Sequence, residues 1–365
     1  MGPPEPPSLE LPKPPEDLRA SRKGDKVTLT WSVPEQTTDR QRVRFLGNTE
    51  ICRSLDAAIK IDPIFKKCES PVGESAPPAA FAASSKSSSA SKNSSHGKIR
   101  ASFVARLASE LEQEHPTEFV TYAVAVLNKA GRGAGLSNQV RVPLVPTLAP
   151  FSDFAARPTD QGILISWRCP QASFKTSDVT YLFRIHRRLD SSSSNAIPVA
   201  QVDAAGCAEG AIPDSGKAIT SFLDQSFEWE KTYFYYGTVV SVVRVAQKPA
   251  VEVEGDDTPE VKVFAHDIFP PAVPSGLQAV FSGPGQQPFI DLIWAPAANA
   301  DLDGYNIYRR EDHAVAVKIN PEPVKAPAYR DMRVEPGKTY FYSVTAVDQR
   351  GNESGRSEET SESVP

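Results

Sequence analysis

The stretch Lys338 to Asn352, KTYFYSVTAVDQRGN, constrains the fold more than any other, because two further copies of it lie upstream. From Tyr340 the side chains alternate. Tyr340, Tyr342, Val344 and Ala346 fall on one side of an extended strand, and Phe341, Ser343, Thr345 and Val347 on the other. The second copy opens with Lys231, Thr232, Tyr233, Phe234 and Tyr235 and continues through Gly237, Val239 and Val240. The first runs Val120, Tyr122, Val124, Val126 and Leu127 into Asn128, with Gly131 closing the turn as Gly351 does in the last. Three copies of one strand predict three modules.

A second signature precedes each copy. Val27, Leu29 and Trp31, then Ile163, Ile165 and Trp167, then Ile290, Leu292 and Trp294 place large apolar side chains at period two, facing inward. Tyr181, Phe183 and Ile185 lead into His186, Arg187 and Arg188, and Tyr305, Ile307 and Tyr308 lead into Arg309 and Arg310, giving one more strand in each of the later modules. The 33 prolines argue for edges and linkers rather than long helices, and 40% hydrophobic residues are enough to build cores. The chain therefore reads as all-β.

Its expected organisation is a proline-rich tether over 1–14, extended as polyproline II, followed by modules over 15–146, 147–270 and 271–365. Stiff joints are expected at 143–150 and 269–274. Residues 71–98, which include SSKSSSASKNSS, lack the apolar content to offset the entropy of ordering and read as a disordered insertion in the first module.

A Trp late in the second strand, a Tyr opening the sixth after a charged or Pro-Gly turn, and the hairpin Ala346-Val347-Asp348 to Gly351-Asn352 together resemble fibronectin type III modules. The match is best over 271–365, good over 147–270 and partial over 15–146. The resemblance implies three tandem immunoglobulin-like β-sandwiches. Trp294 with Tyr340 and Trp167 with Tyr233 would be core residues, each Tyr hydroxyl bonding back to the chain in a tyrosine corner. Trp31 is the inward indole of the first module, where Phe119 and Val120 occupy the corner and cannot make that bond. The opening GPPEPP resembles the segment after the lipidated cysteine of bacterial lipoproteins, with the lipobox itself absent, which implies an exported protein on a proline tether.

Four cysteines fall into two pairs by position, Cys52 with Cys68 and Cys169 with Cys207, and allow three connectivities. Pairing within a module is preferred because each module should fold on its own, and closing a loop of this length stabilises by about 3 kcal/mol. Neither pair has metal-site spacing, so the cysteines point to an oxidising compartment.

The net charge of -5 provides no basic field for nucleic acid or anionic membranes. The longest apolar run, Gly237 to Val243, is broken by Arg244 and falls short of the roughly 18 residues of a spanning helix. Residues 1–15 have neither a basic start nor an apolar core and are not a signal peptide.

Chemistry-bearing motifs are few. Asn299, Asp301, Asp303 and Gly304 imitate the start of a calcium loop, but its twelfth position is Arg310, a cation, so no metal is expected. His96, His115, His186, His266 and His313 have no ligand spacing, and neither a GxSxG elbow nor a phosphate-binding glycine loop occurs. Lys23-Gly24-Asp25 reads as a hairpin turn rather than an integrin-type tripeptide. Arg40, Arg42 and Arg44 share a face if that segment is extended, with a solvated face as the plain reading and an anionic-ligand patch as the alternative. Asn93 and Asn352 sit in glycosylation-type triplets, relevant to a eukaryotic receptor ectodomain.

No cofactor and no catalysis are expected. The sequence points to a spacer or adhesion protein at a bacterial cell envelope, binding a protein or cell-surface ligand. The alternative is a set of accessory modules for a polysaccharide-active enzyme.

Overall fold

A computed structural model of the chain describes residues 9–81, 98–169, 179–191, 195–204, 219–244, 250–282 and 287–365. In the first sandwich, β1 (Arg19–Lys23), β2 (Lys26–Ser32) and β5 (Arg100–Arg106) form one sheet. Facing it, β3 (Thr49–Ser54), β4 (Pro71–Ser75), β6 (Phe119–Val126) and β7 (Val140–Pro143) run in the order β4-β3-β6-β7. A short helix, α1 (Ser109–Glu114), precedes β6.

The second sandwich sets β8 (Ser152–Thr159), β9 (Gly162–Arg168) and β12 (Ile219–Asp224) against β10 (Val179–Leu189), β11 (Ile197–Asp203), β13 (Thr232–Val243), β14 (Val251–Asp257) and β15 (Val261–Phe264). The third sets β16 (Ser275–Phe281), β17 (Ile290–Ala295) and β20 (Ala328–Asp331) against β18 (Leu302–Glu311), β19 (Val317–Lys318), β21 (Thr339–Asp348) and β22 (Thr360–Ser363). Each repeat of the sequence is the sixth strand of its sandwich, and its Tyr and Val side chains at period two fill the space between sheets. Among the described residues no helix is long and apolar enough to cross a membrane.

Compact units do not follow the expected three modules. One unit comprises Met1–Arg157, Leu164–Ser226 and Thr232–Val263, and the other Pro158–Ile163, Phe227–Lys231 and Phe264–Pro365. The first sandwich and most of the second fall into one unit, and β1 of the first pairs with β14 of the second. Lys23 pairs in parallel with Glu254, and the Gly24 amide donates to the Glu254 carbonyl at 2.7 Å. This gives an eight-stranded sheet in the order β11-β10-β13-β14-β1-β2-β5, with β15 on β13. Gly24 turns at φ +58°, a conformation costly for residues with a β-carbon, and so brings the β1–β2 hairpin onto the edge of β14.

Three sequence expectations change here. The segment 143–150 is no free joint: Leu144 and Val145 are fully buried, Val145 packs with Val179, Val243 and Val253, and the Ser241 hydroxyl donates to the Pro146 carbonyl at 2.8 Å. Residues 71–75, expected in a disordered insertion, form β4, because β3 offers an edge that pairs Thr49 with Ser75 and Ile51 with Gly73. The last residues of the tether are seated rather than extended into solvent: Leu11 accepts from the Thr38 amide, and the Lys13 amide donates to Gln36.

Candidate functional site

Trp31 and Trp167 are almost wholly buried and Trp294 nearly so, each on the second strand of its sandwich. Trp167 meets Phe151 at 5.3 Å and Phe183 edge-on at 5.6 Å, and Trp294 meets Tyr305 edge-on at 5.1 Å. Phe151 lies so close to β13 that any side chain at Gly237 would collide with its ring. Tyr233 and Tyr340 are buried at the start of β13 and β21. The Tyr340 hydroxyl accepts from the Glu335 amide at 3.0 Å, closing a tyrosine corner five residues upstream. In the first sandwich Val120 holds that position and is buried without a polar group. The sandwiches are of the fibronectin type III kind.

An arginine, an aspartate and a tyrosine form a buried node that is repeated in the second and third modules. In the third module Arg309 bonds Asp331 at 2.8 Å, and the Tyr342 hydroxyl donates to the same carboxylate at 3.0 Å. In the second module Arg187 bonds Asp224 at 2.7 Å, and the Tyr235 hydroxyl donates to it at 2.9 Å. Burial and the neighbouring carboxylate push the Tyr235 and Tyr342 phenols up, so both remain neutral donors. The signal was present in the sequence as Arg187 and Arg309 at matched strand ends, but the distance to Asp224 and Asp331 hid it.

The second and third modules also zip their outer arginines to glutamates. Arg188 bonds Glu260 through two nitrogens and lies 4.0 Å over the Phe234 ring, and Arg310 does the same with Glu359 and Phe341. Arg310 is therefore a sheet-face residue and not part of a cation loop.

Across the joint of the first two modules, Lys23 bonds Asp257 at 2.5 Å and Lys26 lies 3.4 Å from Asp256, while within the second module Arg184 bonds both Glu252 and Glu254. Beside it, Arg22 bonds Glu112 at 2.6 Å with both side chains buried. Burial pushes the Glu112 carboxyl up to about 7 in spite of Arg22, and pulls the Arg22 guanidinium down.

The calcium-like loop is engaged in other ways. Asn299 accepts from the Ala272 amide and Asp303 pairs with Lys325, while Asp301 lies with Asp267 and Asp348 so that their oxygens fall within 4.8 Å of one another. Arg350 bonds Asp267 at 3.3 Å, and Asp348 accepts from the Arg350 and Asn352 amides. Like-charge repulsion is answered there by a cation and by backbone donors within the chain, and desolvation raises the Asp267 pKa. The Asn352 side-chain nitrogen donates to Asp348 and to the Asp267 carbonyl, so this glycosylation-type triplet is a structural turn. Asn93 and His96 lie outside the described residues.

Cys52 and Cys68 are disulfide-bonded. The bond pins 55–70 over the outward face of β3 and β6, where Cys52, Cys68, Ala123, Ala125 and Leu127 form a small buried cluster. Cys169 is also disulfide-bonded, and its expected partner Cys207 falls outside the described residues. A hollow lined by Pro116, Phe119, Val145 and Val243 has no room for a ligand.

No family model matches the chain. It is 36% identical over 94 residues, 26% of its length, to an amylopullulanase of Thermoanaerobacterium saccharolyticum, of which it spans 7%. It is 39% identical over 75 residues, 20% of its length, to an exo beta-1,2-glucooligosaccharide sophorohydrolase of Parabacteroides distasonis, of which it spans 10%. The chain thus spans a small part of these relatives. Among solved structures it is similar to an Fn3-like protein from Clostridium thermocellum, at 30% identity over 27% of this chain and 96% of that one, with a TM-score of 0.23. It is also similar to the chicken CNTN1 FN1-FN3 domains, at 14% identity over 97% of this chain and 99% of that one, with a TM-score of 0.26.

Proposed function

We propose that this chain is a non-catalytic, extracytoplasmic spacer whose joined first and second modules hold a carbohydrate-active partner at a set distance from the cell envelope. The observation that carries the reading is the parallel pairing of Lys23 with Glu254, which joins β1 to β14 at the module joint. A joint made of backbone pairing, a buried linker and ion pairs resists bending far more than a proline-rich linker alone. The Cys52–Cys68 bond supports an oxidising location, and the short matches to glucan-active enzymes support a carbohydrate setting. Attachment through a lipidated cysteine upstream belongs to the same proposal.

A second reading, an adhesion platform for protein ligands, is favoured by Val280 and Ile293, exposed on the outer face of β16 and β17, where Val280 stands opposite Asp291 and Ile293 opposite Gln278. The test is recovery of native complexes from the source cell. Co-purification of a polysaccharide hydrolase supports the first reading, and surface proteins without such an enzyme support the second. Glucan turnover by the purified chain itself overturns both.

A further inference from the structure

Most arginines on the outer faces of the second and third modules are neutralised by carboxylates, as Arg188, Arg310 and Arg330 are by Glu260, Glu359 and Asp291. One end of the first module breaks this habit. Arg40, Arg42, Arg44, Lys66, Lys129 and Arg132 lie on three loops there, and none of them takes part in an ion pair among the described residues.

The loops are joined to one another. The Gly47 amide donates to the Leu127 carbonyl at 2.8 Å, the Gly133 amide donates to Phe65 at 3.1 Å, and the Asn128 amide donates to Arg132 at 2.9 Å. The Lys129 ammonium stands 3.7 Å from the Phe45 ring, which remains 51% exposed, and Phe65 remains 43% exposed. Val43 is buried between exposed Arg42 and Arg44, so these two arginines share the solvent side, about 7 Å apart. Only Arg42 makes a strand-type bridge, to Gln36, and Arg40 sits outside the shared face in a turn.

Two of these cations are held at a cost. Arg40 and Lys66 have φ of 64° and 54°, a left-handed backbone in which a glycine or asparagine is less strained by about 1–2 kcal/mol. The Cys52–Cys68 bond fixes the loop that brings Phe65 and Lys66 to Gly133.

We propose that this end of the first module binds an acidic polysaccharide, a glycan carrying carboxylates along its chain. An acidic sugar ring presents a C–H face and an anion together, which matches half-exposed phenyl rings set among unpaired cations. A nucleic acid requires a wider basic field than a chain of net charge -5 offers. The assignment stands whether or not the chain accompanies an enzyme.

The test is affinity electrophoresis of the full chain in gels containing polygalacturonate or neutral amylopectin, over a range of salt. Retardation by polygalacturonate alone, weakening with salt, is expected. The Arg42→Glu, Arg44→Glu, Lys129→Glu variant should lose at least tenfold in affinity. An Arg42→Gln, Arg44→Gln variant provides the same comparison with less charge change should the first misfold. Absence of retardation, an unchanged affinity in the folded variants, or equal binding of anionic vesicles or duplex DNA overturns the proposal.

Discussion

In the third module Arg309, Asp331 and Tyr342 meet where β18, β20 and β21 end, and Asp331 stands opposite Ile290. In the first module Arg53 and Tyr122 keep the corresponding register, but Ala105 stands opposite Val27 where the aspartate should be. The first module has moved its buried charge. Arg22 comes from β1 and Glu112 from α1, and the pair lies beside Gly24, whose carbonyl accepts from Arg22 at 2.9 Å. The third module thus closes its own core with the node, whereas the first places its node next to the hairpin that joins β14. A repeated fold can reassign a structural charge to an interface once the core no longer requires it.

Removing the carboxylate from the third module should have the largest effect. Asp331→Ala leaves Arg309 and Tyr342 buried without their partner and should cost about 3–5 kcal/mol in urea unfolding. A loss below about 1 kcal/mol would show that the node is not structural. Opening the Cys52–Cys68 bond by a double Cys→Ala change should cost the first module about 3 kcal/mol and leave the third module's transition in place. An unchanged midpoint for the first module would show that the bond adds nothing net to its stability.

The tyrosine corner offers a smaller contrast. Tyr340→Phe should cost about 1 kcal/mol, bringing the third module to the state the first already has with Val120. No measurable change in its midpoint would mean that the corner bond adds nothing net. The finest effect is a slope with pH. Because the folded Glu112 pKa lies near 7, above its ordinary value of 4.5, the folded state holds the proton more tightly. The contribution of this group therefore falls as pH rises from about 4.5 to about 7 and then levels. Glu112→Gln should flatten that slope, and an unaltered slope would assign it elsewhere.

Much of this architecture was legible in the sequence, because period-two alternation and inward tryptophans depend only on local spacing. The disulfide between Cys52 and Cys68 was legible for the same reason, the loop being short. Features that depend on distant pairing were not. Nothing near Lys23 announces Glu254, and Pro-rich segments such as 143–150 read as joints until Val145 is seen buried among Val179, Val243 and Val253. Period two placed Arg40 with Arg42 and Arg44, but a turn at Arg40 ends the alternation. Asp301 was noticed for the wrong companions, since its neighbours in space are Asp267 and Asp348.

The central claim is that the first two modules share one sheet, and the amide of Gly24 tests it most directly. Hydrogen exchange on the full chain should show this amide protected to a degree similar to those within β2, because it donates to the Glu254 carbonyl at 2.7 Å. Exchange at the rate of an open hairpin turn would contradict the shared sheet, and with it the rigid spacer.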